Sequence, residues 1–513
     1  MSLSDQEIFE LATRTPLPSS TDSLVITTRV ETPSRISETF LVETDEAYGD
    51  DRRANESSLP PVDGGIKAWT YLVAAFFVEA IVWGLPNSFG VYLDVHGTTK
   101  CILASTIDWA ALVRNHVLLR SGRLLLLSKA NPNIRIKGPL INALNSRWPN
   151  HRRLFMWVGT VICWASLFGA SYTTQIKLLV FLQGVMYAIG GALLIYPCIS
   201  FMSEWFVKQR GLANGVMFAG TAAGGLALPL ILPYLLSSYG PSKTLRILAI
   251  AILSLLAPSL LFVKGRLPEL RSRVRGPGPR GLTVGNSSIR KRDWLRNATF
   301  WILIATNTFQ GFGYFVPILW LPSFANALQI NNSKASVALA MLNGASVVGR
   351  VLMGYLSDKL NPWLLALSTL LFTSLSTFVL WGVLSTTFPG LLVFGIAYGA
   401  LAGGWSSSWA GFLRPLTSDD PTLATTLIGY LMLTRGIGNI FSTPISSALS
   451  STSNSNSTTP FMHHGTGYQV DNGKYEKMIL YVGTCFAGAA LVSVTGWVSE
   501  VASRRRAAPR IDG

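Results

Sequence analysis

From residue 63 onward the chain is written in long apolar runs, near 68–93, 154–173, 178–203, 212–237, 244–263, 299–325, 335–357, 363–384, 390–413, 422–449 and 478–499. Crossing a hydrocarbon core of about 30 Å takes roughly 20 apolar residues in helical form, because lipid offers the backbone no hydrogen-bond partners. The runs therefore predict an all-α integral membrane protein with eleven clear spans. Composition agrees, with 49% hydrophobic and only 13% charged residues, against about 25% charged in soluble domains. That balance excludes a disordered, collagen-like or disulfide-scaffold chain and leaves too little charge to coat a water-soluble protein of 513 residues. The four cysteines, Cys101, Cys163, Cys198 and Cys485, form no CxxC pair, which argues against a metal cluster or disulfide framework. No metal and no cofactor are expected.

A net charge of +16 would suit nucleic acid, but its distribution points to a bilayer. Residues 1–62 carry 12 acidic and 5 basic side chains and no apolar run, so they read as a disordered, solvent-facing tail and not as a signal peptide. The longest hydrophilic connector, 264–297, holds ten basic residues and two acidic ones. By the positive-inside rule it is a cytoplasmic loop. If a twelfth span lies between 94 and 153, then Arg147, Arg152, Arg153, Lys208, Arg210, Lys359, Arg414 and Arg504–Arg506 fall on the same side, facing only isolated lysines such as Lys177, Lys243 and Lys334. Twelve spans put both termini in the cytoplasm; eleven would break the charge rule. The expected organisation is a cytoplasmic tail over 1–62, a six-helix bundle over 63–263, the basic loop 264–297, a second six-helix bundle over 298–503, and a cytoplasmic tail over 504–513.

Two motifs narrow the class. Asp63-Gly64-Gly65-Ile66-Lys67-Ala68-Trp69 opens the first span, and Glu204-Trp205-Phe206-Val207-Lys208-Gln209-Arg210-Gly211-Leu212-Ala213-Asn214-Gly215 leads into the fifth. In this register they resemble the signatures of monocarboxylate-transporter-like members of the major facilitator superfamily. The run Val82-Trp83-Gly84-Leu85-Pro86-Asn87-Ser88-Phe89-Gly90 and the later Arg435-Gly436-Ile437-Gly438-Asn439 look most like fungal members. The resemblance covers about 63–500, apart from one interruption. It implies the major facilitator fold, with 12 transmembrane helices in two six-helix bundles around a midplane cavity. It also implies secondary active transport of an organic anion or small organic molecule by alternating access. Gly349 to Lys359, ending the eighth span, resembles the superfamily's cytoplasmic loop motif, in which Asp358 and nearby basic groups latch helix ends. On physical grounds alone, Gly211, Gly215, Gly220 and Gly224 form small-residue steps for close helix packing, and Lys208 and Arg210 anchor the span at the cytoplasmic interface; with Asp358 these two make up the expected conformational or gating motif.

Three ionisable residues fall deep inside apolar spans: Glu79, Arg350 and Arg435. Such groups are costly in lipid and face a cavity or a partner. A carboxyl group buried there must be neutral or matched by a cation. Glu79 is thus the candidate proton-coupling site of a symporter, or else a structural partner of Arg350 or Arg435. Arg350 matches the family arginine that binds the substrate carboxylate, a role its guanidinium fork suits. Two family groups associated with simple monocarboxylates are replaced, a lysine by Asn87 and an aspartate by Ser346. The candidate substrate-binding set is Arg350, Asn87, Ser346 and Arg435, and the replacements favour a larger or less charged molecule, including export of a secondary metabolite or drug. Trp83, Phe89, Tyr92, Tyr314, Phe315, Trp320, Trp405 and Trp409 occupy spans that line the cavity in the superfamily, which suits a flat or apolar substrate, although lipid-facing positions account for any single one.

Between 94 and 137 the second span is expected, but its best window, about 101–128, contains three arginines. Each costs on the order of 2.5–3.5 kcal/mol near a span centre. The stretch reads as a retained intron or frameshift ending near Lys137, with a degenerate span as the alternative. Asn456-Ser457-Thr458, in the external loop 450–476, offers a glycosylation site at Asn456. A membrane enzyme would want convergent His or Asp clusters, yet none of the five histidines lies in a clear span. No Gly-rich nucleotide loop supports ATP-driven pumping. Enzyme activity is not expected; a transporter-like nutrient sensor is the alternative from another class. The chain is expected in the cell membrane or the vacuolar membrane, with lipid, a small-molecule substrate and a co-transported proton as partners and no nucleic acid.

Overall fold

A computed structural model of the chain describes residues 59–88, 151–267, 293–417, 421–451 and 465–507, which from Pro60 on belong to one unit. Among them every regular element is helical. The helices are α1 (Ile66–Asn87), α2 (Arg152–Ala170), α3 (Lys177–Trp205), α4 (Arg210–Phe262), α5 (Ala298–Ala327), α6 (Asn332–Lys359), α7 (Pro362–Leu384), α8 (Phe388–Thr417), α9 (Pro421–Ser451) and α10 (Glu476–Ala507). Nine of the described helices are long and apolar enough to cross a membrane, and α9 adds 31 residues more. The expected second span, the tails before 59 and after 507, most of the basic loop and Asn456 lie outside the described residues.

Helix α4 has 53 residues, about 80 Å at 1.5 Å per residue, more than twice the hydrocarbon thickness. It is two crossings joined at Gly240, whose φ of 72° and ψ of 170° break the helix just before Pro241. Glycine adopts this backbone without the penalty a Cβ would bring. Both ends of α4 return to one residue: Arg210 follows closely on Trp205, and the Trp205 indole N–H donates to the carbonyl of Lys264 at 2.8 Å. The two arms therefore lie side by side. Their crossings match the runs 212–237 and 244–263.

The helices sort into two groups. In the first half, α1 packs on α4, and α2 on α3 and α4; in the second, α5 packs on α9 and α10, α6 on α8, and α7 on α10. The halves meet chiefly where α4 crosses α6. This is the two-bundle architecture expected from the sequence. The first arm of α4 carries two rows of glycine with different partners. A Cβ on Gly215 would fall 2.5 Å from the Arg350 carbonyl of α6, whereas one on Gly224 would fall 2.7 Å from Gly84 of α1. Small residues thus let one helix touch its own half along one face and the opposite half along another.

Candidate functional site

A cavity of about 190 Å³ opens between the halves. The first half supplies Glu79, Trp83 and Asn87 from α1, Gln183 and Tyr196 from α3, and Phe218 and Thr221 from α4. The second half supplies Tyr314 and Phe315 from α5, Arg350 from α6, Ser406 and Trp409 from α8, and Arg435 and Asn439 from α9. Gln183 sits where α3 widens into i→i+5 turns over Val180–Met186, a distortion often found beside functional sites. The three deep charges expected from the sequence all line this cavity.

They are held differently. Glu79 is 1% exposed and accepts a hydrogen bond from the Thr221 hydroxyl at 2.8 Å. Room for it comes from Gly220, where a Cβ would lie 3.0 Å from that of Glu79. Among the described residues no ion pair joins Arg350 to Glu79. Its Nε donates to the Gly403 carbonyl at 3.2 Å, Nη1 to the Phe218 carbonyl, and Nη2 to the Tyr314 hydroxyl at 3.1 Å. One guanidinium therefore joins α6 to α5 and α8 in its own half and to α4 in the other. The sequence alternative of a structural Glu79–Arg350 pair is corrected: backbone carbonyls and a phenol satisfy this arginine. Arg435 lies over the Tyr314 ring, 4.1 Å from its centroid, and 6.0 Å from the Trp409 ring, distances suited to cation–π attraction.

Of the other expected substrate groups, Asn87 lines the cavity, but its Nδ2 donates to the carbonyls of Trp83 and Thr221, both at 3.3 Å. Its amide ties α1 to α4. Ser346 is corrected more fully. Its hydroxyl donates to Leu342 at 3.1 Å and Gly399 at 2.8 Å, it packs against Gly403, and it is absent from the described lining. A hydroxyl one turn from Arg350 faces α8 instead. Of the aromatic set, Trp83, Tyr314, Phe315 and Trp409 line the cavity. Trp320 and Trp405 do not; their indoles donate to Ser446 at 3.0 Å and to Asn307 at 2.8 Å. Phe89 and Tyr92 are outside the described residues. Tyr314 was legible only as an aromatic. Its place between two arginines depends on helices far apart in sequence.

At the end of the molecule that carries residues 60–67 and 264–267, the two sequence signatures dock on each other. Asp63 accepts from the backbone N–H groups of Val207, Lys208 and Gln209 at 2.9–3.0 Å, and its own N–H donates to Trp205 at 2.9 Å. Asp358, at the end of α6, accepts from the N–H groups of Gly211 and Leu212, both at 2.9 Å. Two carboxylates thus meet the electropositive start of α4, where helix N–H groups lack internal partners. Arg152 and Glu204 form an ion pair at 2.6 Å beside them. Lys208 is exposed, whereas Arg210 is buried with Nε on the Phe206 carbonyl at 3.1 Å.

Two bundles of membrane-crossing helices enclosing a charged cavity at their junction define a membrane transporter. The profile of the Major Facilitator Superfamily matches residues 137–443, and the chain belongs to that family. It is 30% identical over 308 residues to MFS-type transporter pytF of Aspergillus terreus, covering 60% of this chain and 94% of that protein. MFS transporter asaE of Aspergillus flavus is 26% identical over 391 residues, 76% of this chain and 81% of its own. The aspyridones efflux protein apdF of Emericella nidulans is 26% identical over 408 residues, 79% and 76% respectively. The chain is a multi-pass membrane protein of the transporter class.

Proposed function

We propose that the chain is a secondary active transporter that moves an organic acid or similar small organic molecule by alternating access, with proton coupling through Glu79. The observation that carries this reading is the cavity itself. It joins the halves, with one buried carboxyl on the first-half wall and two arginines on the second. Ionisable groups placed inside a membrane domain mark substrate and proton pathways. Asp358 supports alternating access. It belongs to the second half and caps a helix of the first, so its bonds exist only while this end is closed. Among superfamily branches we place the chain with the monocarboxylate-transporter-like one, on the docked signatures at Asp63 and Glu204–Gly215. Asn87 and Ser346 at the replaced positions turn the substrate away from simple monocarboxylates.

Export of a secondary metabolite is the second reading, favoured by the efflux function in the name of one relative. Both termini are assigned to the cytoplasm and the chain to the cell membrane or the vacuolar membrane, on the charge pattern. Flux of candidate acids into proteoliposomes under an imposed pH gradient tests the main reading. Accumulation should follow the gradient in the wild type and lose that dependence in Glu79→Gln. Gradient-driven accumulation that survives Glu79→Gln removes Glu79 from coupling. Absence of flux for every candidate, with specific binding retained, points instead to a sensor.

A further inference from the structure

We propose that the transported molecule is read at one wall of the cavity, by Trp409, Arg435 and Asn439, while Arg350 serves to hold the two halves together. This rests on the transport reading above and names its substrate class: a conjugated or aromatic acid that also carries a hydroxyl or N–H donor.

Arg350 is only 5% exposed, and its three nitrogens donate to Gly403, Phe218 and Tyr314. A bidentate grip on a carboxylate would require giving up bonds that connect four helices. Trp409 and Asn439 stand in the opposite condition. Both line the cavity and are 1% and 7% exposed, yet the Trp409 indole N–H has no acceptor and the Asn439 Oδ1 no donor. Trp405, one turn earlier on the same stretch of chain and outside the lining, has its indole bonded to Asn307. Leaving a buried donor or acceptor unmet is costly. That cost is offset when a ligand brings the missing partner, and such a site rejects ligands that lack it.

The positions then specify the ligand. Arg435 lies 6.0 Å from the Trp409 ring centroid, so the ligand's acidic group is assigned to this charge and the unmet indole N–H. Asn439 is one turn further along α9, about 6 Å at 1.5 Å per residue, and its Oδ1 calls for a donor at that separation. Phe218 meets Trp409 edge-on at 6.2 Å, and Trp83 and Phe315 complete walls suited to a flat body.

The test is binding to the purified full chain in detergent, by calorimetry, with meta-hydroxybenzoate, benzoate and methyl meta-hydroxybenzoate as probes. In the wild type meta-hydroxybenzoate should bind about tenfold more tightly than benzoate, as one added hydrogen bond implies, and the ester should bind worst. Asn439→Leu should bring meta-hydroxybenzoate down to the benzoate level. Trp409→Phe should weaken both acids about tenfold. Arg435→Lys should lower affinity more than Arg350→Lys does, and Arg350→Lys should lower Tm more than Arg435→Lys does. Equal binding of the three probes, no saturable binding of meta-hydroxybenzoate, or a greater affinity loss in folded Arg350→Lys would each overturn the proposal. Flux of meta-hydroxybenzoate in proteoliposomes separates the two levels. Binding with the expected ranking but no flux removes the transport reading and keeps the subsite. Flux indifferent to Asn439→Leu and Trp409→Phe removes the subsite and keeps transport.

Discussion

Helices of the two halves begin in different ways. In the second half, α5, α6, α7 and α8 start on caps written beside them: Asn297 accepts from Thr299, Asn331 from Ser333, Asn361 from Trp363 and Thr387 from Gly390. In the first half, α4 starts at Gln209 with no side-chain cap of its own. Its amides are met from afar, by Asp63 at the head of α1 and Asp358 at the foot of α6. A neighbouring cap holds wherever the bundle moves, because cap and helix travel together. A cap borrowed from the other half is present only while the halves touch. Asp358 therefore makes the comfort of one helix end depend on the conformation of the whole molecule, and Asp63 fixes the same end to its own half.

The largest effect should come from wedging that contact open. A Cβ on Gly211 would fall 2.7 Å from the Asp358 carboxylate and also collide with Ser357 and the Gly354 carbonyl. Gly211→Val should abolish closure at this end, with overpacking of about 1–3 kcal/mol seen as a lowered Tm and lost flux. Unchanged Tm and flux would mean that α4 and α6 do not meet here. Next in size is the contrast between the carboxylates. Asn214 is fully buried one turn into α4, so Asn214→Cys reports opening through its reactivity with a polar maleimide. Adding Asp358→Asn should raise that reactivity about tenfold, as weakening charge-assisted bonds by about 1.5 kcal/mol implies. Adding Asp63→Asn should lower Tm without raising reactivity. Equal responses would dissolve the distinction between a cap within a half and a cap across halves.

The architecture was legible because it rests on local properties of the chain. Runs of apolar residues mark each crossing, whereas the break at Gly240, before Pro241, emerged only from the structure. The deep charges Glu79, Arg350 and Arg435 were legible for the same reason: a charge in an apolar run stands out and must face something polar. What each one touches was not legible. Arg350 is satisfied by the carbonyls of Phe218 and Gly403, groups that every residue carries and no sequence pattern flags. Ser346 matched a family position by alignment, yet a hydroxyl's direction depends on which neighbour offers a carbonyl, here Gly399. Asp63 was read as a signature residue, but its task at residues 207–209 lies some 145 positions away. The interrupted stretch 94–137 ends where the family match begins, at residue 137, and sequencing the spliced message tests whether it belongs in the protein.

The smallest expected effect is the control on which the comparison turns. Asn361 accepts from the Trp363 N–H at 2.9 Å, and Pro362 occupies the first turn, where its missing N–H is no loss. Asn361→Ala removes one cap bond and nothing else that joins the halves, so it should lower stability by about 1 kcal/mol. Because cap and helix lie in the same half, open and closed states lose it equally, and a loss common to both states shifts no population between them. Maleimide reactivity at Asn214→Cys and the gradient dependence of flux should therefore match the parent protein while Tm falls. If Asn361→Ala alters reactivity as Asp358→Asn does, closure responds to stability in general, and the remote cap holds no special place in it.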